Sequence, residues 1–136
     1  MKGSYVLVIY LEKNSKIKVG KKTTINFLQD HYAYIGSALN GLEQRIERHL
    51  RDNKKFFWNI DYFLKYAKIT NIFYKENSKK EECDIAEYFN KRLKNVQKFG
   101  CSDCKCKSHL FYGPLKEIKK ILLGYNMKKY TIKSKY

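Results

Sequence analysis

The sequence predicts a small α+β domain in which a mixed β-sheet is flanked by helices, and three observations predict it. Residues 4–11 (SYVLVIYL) are almost all apolar and rich in β-branched and aromatic types, so they read as a central strand buried on both faces. Helical spacing of apolar residues begins near residues 40 and 82. Between and after these helices, 69–74 and 109–112 are short runs of β-formers.

The elements follow in order. Residues 12–16 form a polar turn, and 16–19 alternate polar and apolar and pair back as a hairpin, stopped by Gly20-Lys21-Lys22. Residues 32–35 are a second apolar run, cut off by Gly36-Ser37. Asn40 opens a helix, with Glu43 placed for a capping box and Leu42, Ile46 and Leu50 as its core stripe. Residues 56–67 read as a second, aromatic helix, 69–74 as a strand and 76–80 as a charged turn. The longest helix is predicted over 82–98, on Cys83, Ala86, Phe89, Leu93 and Val96, with Gly100 as the residue that ends it. A cysteine-rich loop, a strand around 109–112 and a helix from Pro114 through Leu122 come next. A basic tail over 127–136 has room for a last strand. With 136 residues and no linker or repeat, the chain reads as one domain over 1–136, its core about 1–112 and a basic helix and tail over 113–136.

The longest apolar run, 5–11, is too short to span a bilayer, and Met1-Lys2-Gly3 leads into it without a cleavage site. A soluble, cytoplasmic protein is expected. Lys and Arg total 29 against 13 Asp and Glu, for a net charge of +16. Such a field attracts polyanions and favours a nucleic-acid partner, and no strong basic amphipathic helix points to a membrane. The 25 Lys and ten Asn, against four Arg, also fit a lysine-rich solubility face. Four bunched cysteines exclude a secreted disulfide scaffold.

Against that lysine background, Arg45, Arg48 and Arg51 fall on one predicted helix, where a planar fork suits phosphate. His49 stands one turn after Arg45 on the same edge of the core stripe, while Arg48 and Arg51 are expected toward solvent. Tyr5 and Tyr34 lie on predicted strands, and Gly36 and Ser37 end the second where a glycine lets phosphate approach the backbone. A phenol is a poor base at its ordinary pKa of about 10. Beside a metal ion and an arginine its phenolate is favoured, and it can activate water.

Cys101, Cys104, Cys106 and His109 offer four soft ligands in one loop, enough to close a tetrahedral zinc site. The Cys104–Cys106 step is tight for one ion. Thiols packed in the core, or a disulfide from Cys83 to a loop cysteine, are the alternatives. Lys105 and Lys107 would bring the same loop near a phosphate.

Gly3-Ser4-Tyr5 followed by Tyr34-Ile35-Gly36 resembles the paired motifs of the GIY-YIG endonuclease superfamily. The superfamily has an arginine on the next helix, matched by Arg45, and some members add a histidine four residues on, matched by His49. It also has a metal-holding glutamate on a later helix, matched by Glu82. The segments YAYIGSA (32–38), LEQRIERHLR (42–51), WNIDYF (58–63), ECDIA (82–86) and GCSDCKCKSHLF (100–111) are similar to one branch of it. These are small prokaryotic, largely archaeal proteins, some fused to DNA-repair glycosylases. Ser4 stands where the first motif usually has isoleucine, and Asn59 where a histidine commonly follows the tryptophan.

The resemblance implies metal-dependent hydrolysis of phosphodiester bonds in duplex or branched DNA, in repair or recombination, with a repair protein as a possible partner. Glu82 would hold Mg²⁺ or Mn²⁺, Tyr5 would deprotonate or orient the attacking water, and Arg45 and Tyr34 would contact the scissile phosphate. His49 would hold the water if Tyr5 only positions it. Gly36, Ser37, Arg48, Lys105 and Lys107 are the expected substrate contacts. Glu81 and Asp84 are rival metal ligands, and Asp61 is expected to be structural, bonded to backbone amides or to an arginine. Two other readings are a nucleic-acid-binding module without turnover and a zinc-stabilised interaction domain.

Overall fold

The computed structural model describes residues 2–38, 40–77, 81–100 and 106–131. Strand β1 (Gly3–Leu11) leads into a small hairpin of β2 (Ser15–Lys18) and β3 (Thr24–Phe27), and then into β4 (Asp30–Ala38). Helices α1 (Leu42–Leu50) and α2 (Asn59–Leu64) precede β5 (Lys68–Glu76). Helix α3 (Glu82–Asn90), the short β6 (Lys94–Asn95), β7 (Leu110–Gly113), α4 (Leu115–Gly124) and β8 (Lys128–Tyr130) complete the order. Six strands form one sheet in the order β6-β7-β4-β1-β5-β8, with β2 and β3 forming a second. Where a mixed sheet was expected, all the pairings are antiparallel.

The position of β1 explains its composition. It lies between β4 and β5, and successive side chains enter two different cores. Tyr5, Leu7, Ile9 and Leu11 join Tyr32 and Tyr34 on one face, under α1, α2, the β2–β3 hairpin and Phe99. Val6 and Val8 join Ala33, Ile35 and Phe111 on the other, under α3 and α4. No helix among the described residues is long and apolar enough to cross a membrane.

Several predicted boundaries move, each for a physical reason. The 16–19 strand pairs with Thr24–Phe27 rather than with β1, because β4 and β5 already fill both edges of β1. Asn40 does not cap α1: Gly41 does, at φ 100, a left-handed backbone that suits glycine, and no side chain closes a capping box. The second helix begins only at Asn59, because the Asp61 carboxylate accepts the amides of Phe57 and Trp58 at 2.8 and 3.0 Å and fixes the start there. Helix α3 ends at Asn90 rather than near residue 98, since the next residues pair with β7 and the Val96 amide bonds the Leu110 carbonyl at 2.9 Å. Gly100 has φ +70 but caps no helix. The basic tail does add its strand, β8, on the free edge of β5.

Candidate active site

Register brings the two sequence motifs together. In the β1–β4 ladder Tyr5 is paired with Gly36, and a Cβ built at Gly36 would collide with the Tyr5 hydroxyl and the ring carbon that bears it. Glycine at 36 therefore leaves the space that the phenol fills. The Tyr5 hydroxyl meets His49 Nε2 at 2.7 Å, deep in the core, with Tyr5 1% and His49 2% exposed. Tyr34 lies edge-on to the His49 ring, with centroids 6.1 Å apart.

Both members of the pair are neutral at pH 7. Burial pushes the Tyr5 phenol well above its ordinary value, against the opposing pull of the Arg45 guanidinium. Tyr34 is raised by burial, with the nearby Tyr5 and Glu82 adding to it. Burial lowers His49 from 6.5 to about 3, and Lys54, Arg48 and Arg45 push the same way against Asp61. A protonated phenol beside a neutral imidazole is read as O–H donating to Nε2. The ring proton then sits on Nδ1, which has no hydrogen-bond partner.

This pair sets an acid response. Unfolded, His49 takes a proton as pH falls through 6.5; folded, it does so only near 3. The unfolded state therefore binds more protons in that window, so stability drops as pH falls from 6.5 toward 3. Melting temperatures taken between pH 7 and 4 should fall less steeply for His49→Gln, which cannot titrate, than for the parent. Parallel slopes would show that His49 does not carry the effect.

The arginine edge of α1 is arranged around Trp58. The Arg45 guanidinium lies 4.6 Å and that of Arg48 4.4 Å from the indole centre, so the ring is stacked by both. Arg45 also donates to the Ser37 carbonyl at 3.2 Å, which ties the helix to the end of β4. Arg48 does not point into solvent as expected. Its two terminal nitrogens meet the two Asp61 oxygens at 3.0 Å each, and one also reaches the Lys55 carbonyl. With its fork occupied, Arg48 is a poor candidate for substrate contact. Asp61 is the structural carboxylate that was expected. Burial alone would raise its pKa, but Arg48 and the two amides outweigh it and hold the carboxyl below its usual range. Arg51 is exposed, as read from the sequence.

Glu82 opens α3 and is close enough to act on both Tyr5 and Tyr34. Its neighbours are placed otherwise. Glu81 pairs with Lys75 at 3.3 Å and accepts from the Tyr125 hydroxyl at 3.1 Å, and Asp84 is exposed. Ser37 offers the site its carbonyl rather than its hydroxyl, since Ser37 Oγ is buried on the other face, as is that of its cross-strand partner Ser4. Gly100 bridges toward the cysteine segment: a Cβ there would lie 3.4 Å from the His109 Cβ and 3.6 Å from the Tyr34 ring.

Of the expected zinc ligands, Cys101 and Cys104 lie outside the described residues, as does Lys105, while Lys107 is exposed. Cys106 and His109 are brought together, and Cys83 joins them. Trp58 is the other residue that sequence reasoning missed. Its signal was the i, i+3 spacing of Arg45 and Arg48, which makes the two guanidinium groups neighbours on the helix surface, where one aromatic ring can meet both.

The fold and site define an antiparallel α+β protein whose central strand and first helix join in a buried tyrosine–histidine pair beside an arginine and a glutamate. The chain belongs to the family described as Domain of unknown function DUF123, whose model matches residues 4–129. No curated protein and no solved structure matches the chain.

Proposed function

We propose that the chain is a divalent-metal-dependent DNA endonuclease of the GIY-YIG type. The observation that carries this reading is the convergence of Tyr5, Tyr34, Arg45, His49 and Glu82, drawn from four elements, around one hydrogen-bonded phenol. The donor set fits a hard cation. Glu82 is the acidic side chain opening α3 that acts on both phenols, and Asp61, which acts on Tyr34, is held by Arg48. Glu82 would hold Mg²⁺ or Mn²⁺, which would supply positive charge that stabilises the leaving 3′-oxygen and favours the Tyr5 phenolate.

The chain's own residues do the rest. Tyr5 orients the attacking water and, as the phenolate, takes its proton; the phenol's own proton goes to solvent, since His49 among Lys54, Arg48 and Arg45 stays neutral. His49 is thus the partner of Tyr5 rather than the residue that holds the water. The new P–O bond forms as the bond to the 3′-oxygen breaks, and that oxygen leaves with a proton from solvent. Arg45, kept in place by Trp58 and the Ser37 carbonyl, faces the phosphate charge that grows in the transition state. Tyr34 donates to the same phosphate. The +16 charge gives general affinity for the DNA backbone. A second reading, binding without turnover, is favoured by the near-complete burial of Tyr5.

The test is incubation with supercoiled, single-stranded and branched DNA in Mg²⁺, Mn²⁺ or EDTA. Nicking that requires the metal is expected. Salt-sensitive binding with no cleavage of any substrate would favour the second reading instead. Arg45→Lys should lower the cleavage rate by roughly 100-fold, because an ammonium cannot hold two phosphate oxygens at once. Arg51→Lys, on the exposed side of the same helix, should cleave like the parent. Equal rates for the two variants would reduce the helix to a basic surface.

A further inference from the structure

Apart from the tyrosine–histidine pair, one cluster of side chains has a chemistry of its own. Cys83 is the second residue of α3, Cys106 lies ahead of β7, and His109 immediately precedes that strand. One donor atom from each falls within 4.8 Å of the other two. The two thiols are in no disulfide. Around a tetrahedral zinc ion, with Zn–S near 2.3 Å and Zn–N near 2.0 Å, neighbouring donors lie about 3.5–3.8 Å apart. The cluster needs only a small contraction to reach that geometry.

The scaffold holds these donors from different directions. The His109 amide donates to the Phe99 carbonyl at 2.8 Å, and its carbonyl accepts from Ile35 at 2.9 Å, so the imidazole is hung from β4. Cys83 is carried by the first turn of α3, where the Ile85 amide bonds the Glu81 carbonyl at 3.0 Å. The groove that Cys83 and Cys106 line is bordered by Lys91 and Lys107 and by Asp84 and Glu87. Glu82 Oε2 stands 3.9 Å from His109 Nδ1, which gives the imidazole a carboxylate of the kind that orients metal-bound histidines.

We propose that Cys83, Cys106 and His109 hold a zinc ion that clamps the first turn of α3 to the start of β7. Two thiolates and an imidazole are soft donors, which select zinc over Mg²⁺ or Ca²⁺. Cys83 takes a place that loop spacing alone gave to other cysteines. The clamp sits one residue from Glu82, so it fixes the helix end that presents this carboxylate. Only that last consequence rests on the proposed nuclease activity.

The test reads metal without DNA. The full chain, purified without chelator, should contain one zinc per molecule by elemental analysis. Cys83→Ser and Cys106→Ala should each lose most of it, while Glu82→Gln keeps it even if cleavage is lost. Labelling the parent chain with iodoacetamide avoids dependence on any variant. Cys83 and Cys106 should be protected as purified and become labelled once a strong chelator removes the ion. Cobalt exchanged into the parent should give the absorption of a tetrahedral thiolate site. A metal-free chain with both thiols readily alkylated would overturn the proposal. So would a Cys83–Cys106 disulfide in the purified protein, or full zinc content in a folded Cys83→Ser variant.

Discussion

Glu82→Gln is expected to reduce DNA cleavage by more than about 100-fold, beyond the loss seen when only an outer-shell partner of a metal is removed. The amide keeps the size of the side chain but removes the anionic oxygen that a weakly held, highly hydrated Mg²⁺ needs. DNA binding should stay the same or tighten, because one negative charge near the phosphate has gone. Folding should change little, since the side chain lies at a helix start where a carboxylate is worth about 0.3–1 kcal/mol. Glu81→Gln is the matched control. It removes the charge paired with Lys75, while its amide oxygen can still accept from Tyr125, and it should leave cleavage largely intact. Measured rates in saturating Mg²⁺ decide the matter. An active Glu82→Gln beside a dead Glu81→Gln would move the metal to the neighbouring residue.

The largest effect on stability is expected from Asp61→Asn. Asp61 is fully buried and accepts four hydrogen bonds, two from Arg48 and one each from the Phe57 and Trp58 amides. An asparagine there turns a donor toward groups that are themselves donors, and it leaves the guanidinium without its counter-charge. Breaking one side of a buried pair costs about 3–5 kcal/mol. The Arg48 side chain keeps 19% exposure, so the lower end applies. For a chain of this size, that corresponds to a fall in melting temperature of about 10 °C. Adding Arg48→Met should restore part of the loss if the unpaired guanidinium is the cause. An unchanged melting temperature in Asp61→Asn would show that the network contributes nothing.

What the sequence made legible was what depends on local pattern. The run at residues 4–11 has only one home, the middle of a sheet with a core on each side. Pro114 and the apolar spacing after it mark α4 closely. Residues 82–98 misled because Leu93 and Val96 continue a helical spacing, whereas the chain gains more by turning after Asn90 to pair with β7. The short β3 passed unread although Thr24-Ile25-Asn26-Phe27 alternates, since four residues carry little periodic signal.

The site divides along the same line. Arg45 and His49 were visible from one turn of helix spacing. That His49 is neutral and fully buried, and that Arg48 turns inward to Asp61, depend on packing between α1 and α2, which no spacing encodes. The approach of Cys83 to Cys106 and His109 is likewise a product of tertiary structure.

The pairing of Tyr5 with Gly36 also bears on how this chain can vary. The two positions share one volume, so the absence of a side chain at 36 and the ring at 5 are a single trait written at two places. A larger residue at 36 is sterically open only to a lineage that has already accepted a smaller one at 5. That order passes through a chain with a hole in its core, whereas the reverse order passes through a collision with the Tyr5 ring. Any route by which the family loses this tyrosine therefore begins at 5 and leaves glycine at 36 behind as its trace.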